Sequence, residues 1–237
     1  MDIKVRVLTA EESWKHQLSI YRMYHAKYKE DKNKYPPESF FKHPYLLEKF
    51  SNPDLSESEL KEVETYFKNN IYNGKNLERY KDAVEKSVVP FIAEKSEILE
   101  QLPVKHPSEL TIVLSGAASN AFYDADADQI TLCPQTLCHP DKVAELLPQV
   151  AMHEFTHICV EDDVQKHKLP HTAKERLVSR ICSELLDFDD NNYVQDKRLD
   201  KAITKDKLMS DYHSVLANLK KQVDFMAFMQ RKGGRSK

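Results

Sequence analysis

The stretch VAMHEFTHICVED, residues 150–162, constrains this chain more than any other. It sets His153 and His157 four residues apart with Glu154 directly after the first, and in a helix that spacing is about one turn, so both imidazoles leave the same side. Val143, Leu146 and Val150 precede them on that side. Such a helix carries two imidazoles toward the interior, where unligated rings would be poorly solvated. A tetrahedral zinc ion accepts nitrogen, oxygen or sulfur ligands and can take both rings. Glu154 points about 100° round the helix from His153, beside the open position of such a site, where it can take a proton from an activated water. The pattern therefore fits metal-assisted amide hydrolysis. With ten histidines in the chain, roughly a few per cent of comparable sequences would carry this match by chance, on a solvated helix face that needs no metal.

A catalytic zinc site takes three protein ligands and keeps one position open. Asp163 stands where a metzincin-type pattern would set its ligand, but Val160 occupies the position that pattern gives to glycine. His167 and His171 fall in EDDVQKHKLPHT, which reads as a polar loop. Glu175 and Glu184 flank the apolar stripe of the helix expected over AKERLVSRICSELLDF. Each has a plainer reading: Thr172 with Glu175 matches a capping box, and Glu184 is a surface glutamate beside the stripe, with Asp187 near enough in sequence to orient a ligand histidine. On these residues alone the choice between Glu175 and Glu184 stays open.

Elsewhere the chain narrows the alternatives. Only four glycines, Gly74, Gly116, Gly233 and Gly234, argue against a dinucleotide fold or a phosphate loop, both of which need glycine-rich backbone beside phosphate. The net charge of −3 gives no strong attraction to nucleic acid, and the tyrosine- and lysine-containing stretch around Pro36 and Pro37 reads as a solvated loop. No segment reaches the roughly 20 apolar residues of a membrane span, and the N-terminus lacks a signal-peptide stretch, so the expected location is cytoplasmic, or outside after export without a recognisable signal. Cys133, Cys138, Cys159 and Cys182 lack zinc-ribbon pairing and read as free thiols.

The first hundred residues read as mostly helical, with Ser56 and Glu59 forming a capping-box pattern and a later helix running from near Leu77 to Pro90. ELTIVLSG, NAFYD and QITLCP read as strands, with ADAD a turn between the last two. The motif helix follows, and Pro148 marks a point where it would start afresh.

HEFTH followed by a glutamate on a later helix resembles the gluzincin metallopeptidases, of which thermolysin is the familiar example. The resemblance implies zinc held by His153, His157 and a downstream glutamate, with Glu154 as general base. The family's glutamate follows its second histidine by roughly twenty residues, which Glu175 matches more closely than Glu184. SNAFYDAD is similar to the strand at the edge of that family's cleft, which implies that Asn120 and Ala121 align the substrate backbone. ITLCPQTL, HEFTH and CSELL also resemble the mitochondrial metallopeptidase family that matures an ATP synthase subunit, and that wording selects Glu184. With spacing set above wording, the expected ligands are His153, His157 and Glu175.

The expected architecture is α+β and zincin-like: a small sheet packed on the motif helix in residues 106–237, beside a helical N-terminal lobe in residues 1–105. The expected function is that of a zinc metalloendopeptidase acting on a protein or peptide substrate, with Tyr193 and His213 as candidates for stabilising an oxyanion. The alternative from another class is a catalytically inactive zincin-fold binding or scaffold protein, against which the intact Glu154 stands.

Overall fold

The structure, a computed structural model, describes residues 1–27, 36–117, 121–188, 199–200 and 203–233. At its start, Ile3, Val5 and Val7 alternate with Asp2, Lys4 and Arg6, and this period of two makes Asp2–Val7 a strand, β1, with one half-buried face. The expectation of a mostly helical first hundred residues misses β1, although IKVRV carries the alternation.

Helices α1 (Ala10–Lys27), α2 (Pro44–Phe50) and α3 (Glu57–Tyr66) follow. Ser56 and Glu59 form the expected capping box on α3: the Ser56 side chain accepts from Glu59 N, and Ser56 N donates to Glu59 Oε2 at 2.8 Å. Helix α4 (Gly74–Leu99) runs through Pro90 instead of ending there. The hydrogen bond lost at proline is offset by an unbroken buried face of Leu77, Tyr80, Val84, Val88 and Ile92.

The remaining strands are β2 (Glu109–Leu114), β3 (Ala121–Asp124) and β4 (Gln129–Leu132), in sheet order β1-β2-β4-β3. β1, β2 and β4 run parallel, whereas β3 is antiparallel to β4 and forms an edge. The expected ADAD turn joins these two: Asp124 Oδ1 accepts from Asp126 N and Ala127 N, and Asp128 adopts φ 47° to close it.

After the short α5 (Pro134–Leu137) comes the motif helix, α6 (Val143–His167), then α7 (His171–Leu185) and α8 (Lys205–Gly233), which kinks at Asp211. Two expectations need correction. Pro148 does not restart the motif helix, because the buried Val143 and Leu147 anchor the turn that precedes it. The polar stretch after the motif is helical to His167 and turns only at Lys168, whose φ of 52° ends the helix in the left-handed conformation.

A continuous core joins the sheet to α4, α6, α7 and α8, and a second cluster built on Trp14, Tyr24, Phe41, Phe50 and Phe67 holds α1 to α3 together. The boundary expected at residue 105 runs through the first cluster, which includes Leu77, Ile92 and Leu102 as well as Leu110 and Leu147. The chain is thus mixed α/β with a small sheet, and α6 packs directly on β3 and β4. Among the described residues no helix is long and apolar enough to cross a membrane.

Candidate metal centre

Between Ala151 and Val160 α6 is buried nearly all round, by the sheet on one flank and α4 and α7 on others, so both motif histidines lie inside: His153 is 8% exposed and His157 3%. Leu146, expected on the same inward side, is exposed: Val143 and Leu147 take the buried face of that turn, and Leu146 lies about 100° round the helix from Leu147.

Across the packing of α6 on α7 the Glu175 carboxylate reaches the two rings. Its Oε2 is 3.4 Å from His157 Nε2 and 3.7 Å from His153 Nε2, and the two imidazole nitrogens are 3.2 Å apart. One ligand atom from each of the three residues falls within 4.8 Å of the others, and among the described residues this is the one such cluster able to hold a metal ion. The capping box expected from Thr172 and Glu175 does not form: α7 begins at His171 after Pro170 with no side-chain cap, which leaves Glu175 turned inward.

Glu184 is committed elsewhere. Its carboxylate pairs with Arg180 one turn back and accepts from Lys205 N at 2.9 Å, which ties the end of α7 to the start of α8. His167 Nδ1 contacts the Asp163 carbonyl at 2.9 Å. His171, in the first turn of α7 and not in a loop, sits with Nδ1 3.4 Å from Glu175 Oε1, behind the carboxylate. Asp187 is exposed, and His213 lies on α8 against Tyr212. Ala121 opens edge strand β3, whereas Asn120 and Tyr193 lie outside the described residues.

Sequence reasoning missed three neighbours of the centre. The Tyr123 ring, on β3, stacks on His157 with centroids 4.7 Å apart and planes within 1°. Its hydroxyl donates to Glu161 Oε2 at 2.9 Å and accepts from Lys174 Nζ at 2.6 Å. Glu161 is one helical turn after His157 and Lys174 directly precedes Glu175, so their spacing was available as a signal. Nothing in the sequence singled out Tyr123.

The charges follow from this packing. Although burial works against it, the Glu175 carboxyl is held below the usual carboxylate range by hydrogen bonds from His153 and His157. Burial lowers His157, whose ring shares a confined space with a second imidazole. Glu154, the next residue on the helix from His153, is raised to about 7, chiefly by burial. A cleft of about 810 Å³ opens in front of Glu175, lined by Phe122, Tyr123, Asp124, Glu161 and Lys174 among others.

Fold and site together define a mixed α/β chain with a buried His-His-Glu cluster at the root of a cleft. Comparison with protein-family models, curated proteins and solved structures returns no match to this chain.

Proposed function

We propose that this protein is a zinc-dependent peptidase with a zincin-like arrangement of sheet edge, motif helix and glutamate-bearing helix. The observation that carries the reading is the convergence of His153, His157 and Glu175, with Glu154 adjacent in the motif. The donor set is the two-nitrogen, one-oxygen set of catalytic zinc sites. An ion roughly 2.0–2.1 Å from tetrahedral ligands needs donors about 3.3 Å apart, and the separations here are 3.2, 3.4 and 3.7 Å. When bound, the ion supplies Lewis acidity to water and to the peptide carbonyl.

The chain supplies the rest. Glu154 takes a proton from the attacking water on its carboxylate and returns it to the leaving amine. The outer edge of β3, which has no partner strand among the described residues, pairs with an extended peptide through backbone hydrogen bonds and carries it past Glu175. The cleft walls Phe122 and Tyr123 shield the reacting groups from bulk water.

The test is zinc content by elemental mass spectrometry together with cleavage of a quenched-fluorescent peptide mixture. The reading expects about one zinc per chain and cleavage abolished in Glu154→Gln with zinc retained. Zinc without cleavage in the unmodified protein would reassign the ion to a structural role, and absence of both would leave the motif a packed helix.

A further inference from the structure

A ligand imidazole is ordinarily oriented from behind: its second nitrogen donates to a carboxylate, a backbone carbonyl or a water, which fixes both tautomer and ring plane. His157 lacks this device, because its buried Nδ1 has no hydrogen-bond partner among the described residues. Its ring nonetheless has a defined plane, lying flat on the Tyr123 ring with an interplanar angle of 1°.

Tyr123 is itself held at its far end. Its hydroxyl bridges Lys174 Nζ at 2.6 Å and Glu161 Oε2 at 2.9 Å, and those two side chains also lie 3.6 Å from each other. The three anchors come from three elements: β3 carries Tyr123, α6 carries Glu161 with His157, and α7 carries Lys174 beside Glu175. Lys174 and Glu161 are each mostly buried, with side chains 16% and 14% exposed, so their charges reinforce the hydroxyl in a site of reduced screening.

We infer that Tyr123, clamped through its hydroxyl by Lys174 and Glu161, is the positioning residue that sets the His157 ring plane for metal binding by stacking, in place of a hydrogen bond at Nδ1. Because the same clamp reaches Lys174, it also couples the register of α7, and hence Glu175, to the orientation of His157. This inference rests on the metal centre proposed above and adds to it a residue that touches the ligand and not the ion.

Two readouts separate the clamp from the centre itself. In metal-free protein, stacking on Tyr123 shifts the His157 ring protons upfield in the NMR spectrum. Tyr123→Phe keeps that shift in part and Tyr123→Leu abolishes it. In metal titrations against a chromophoric chelator, Tyr123→Leu weakens zinc binding about 10-fold or more, the range seen when a ligand's supporting group is removed, while Tyr123→Phe and Glu161→Gln weaken it less. The visible spectrum of the cobalt-substituted protein changes in the same order. Wild-type zinc affinity and an unchanged cobalt spectrum in Tyr123→Leu overturn the inference, as does an unshifted His157 in the unmodified protein. If Tyr123→Leu does not fold, Tyr123→Phe decides: an affinity and a cobalt spectrum equal to wild type remove the clamp. A chain that binds neither zinc nor cobalt sinks the proposed function, while the ring-proton shift still decides whether Tyr123 holds His157.

Discussion

Glu175 Oε2 lies 3.4 Å from His157 Nε2, so one carboxylate oxygen joins α7 to α6 at the point where the two helices carry their donors. Glu184, nine residues or about two and a half turns further along α7, faces Arg180 and the start of α8 instead. These positions separate two glutamates that the sequence left in competition.

Substitution of the two glutamates therefore has opposite signatures. Glu175→Gln is expected to lower zinc content to a small fraction of wild type, as is His153→Ala. Glu184→Gln keeps the zinc and costs about 1 kcal/mol of stability through the weakened Arg180 pair and helix tether. Elemental analysis beside denaturant melts of the same preparations checks both, and loss of zinc in Glu184→Gln alone would refute the assignment.

Metal removal is expected to destabilise the fold as well as the site, since the ion would bind the folded arrangement of α6 and α7 and not the open chain. Free zinc at about 1,000 times its dissociation constant adds about 4 kcal/mol, seen as a rise in melting temperature that chelator reverses. His157→Ala should melt at the same temperature with and without zinc.

A pH effect on stability is expected at a residue outside the candidate ligand set. His16 on α1 contacts Ser115 Oγ at 3.0 Å and the Phe122 ring edge-on, and burial lowers its pKa from 6.5 to about 4. Between those values the unfolded chain binds a proton that the folded chain does not, so stability falls as pH drops from about 6.5 toward 4 and is fully retained above. The loss amounts to about 3 kcal/mol at most. Urea melts across this range should show a slope in wild type that is reduced in His16→Gln; equal slopes would mean that His16 titrates normally.

Arg176, beside Glu175 but turned the other way, is fully buried and donates to Asp200 Oδ1 at 2.6 Å. Truncation to alanine removes a buried charge from its hydrogen-bonded partner and opens a cavity under α7, at an expected cost of about 3–5 kcal/mol. Calorimetry should show that loss in metal-free protein, where a role confined to the metal would leave the melt unchanged.

Much of the centre was legible because it is local. HEFTH sets two donors one turn apart on a single helix, and that relationship survives any packing that buries the helix. The Ser56 capping box, the hairpin around ADAD and strands β2 to β4 were legible for the same reason, since each is decided by neighbours within a few residues. Strand β1 was also written locally, in the alternation of IKVRV, but the helical texture after it masked a short edge strand. The continuity of α4 and α6 through Pro90 and Pro148 was not legible, because a helix survives an internal proline only when buried contacts on both sides outweigh the missing hydrogen bond.

By itself, the sequence determined the pair His153 and His157, the neighbouring Glu154 and the run of strands β2 to β4 ahead of the motif helix. Only the tertiary structure decided that Glu175 and not Glu184 joins the histidines, and that Tyr123, whose type and position carried no signal, lies against His157. The physical reason is that both relationships depend on how α7 and β3 pack across α6. A shift of one residue along α7 turns a side chain by about 100°, enough to exchange an inward carboxylate for a solvent-facing one.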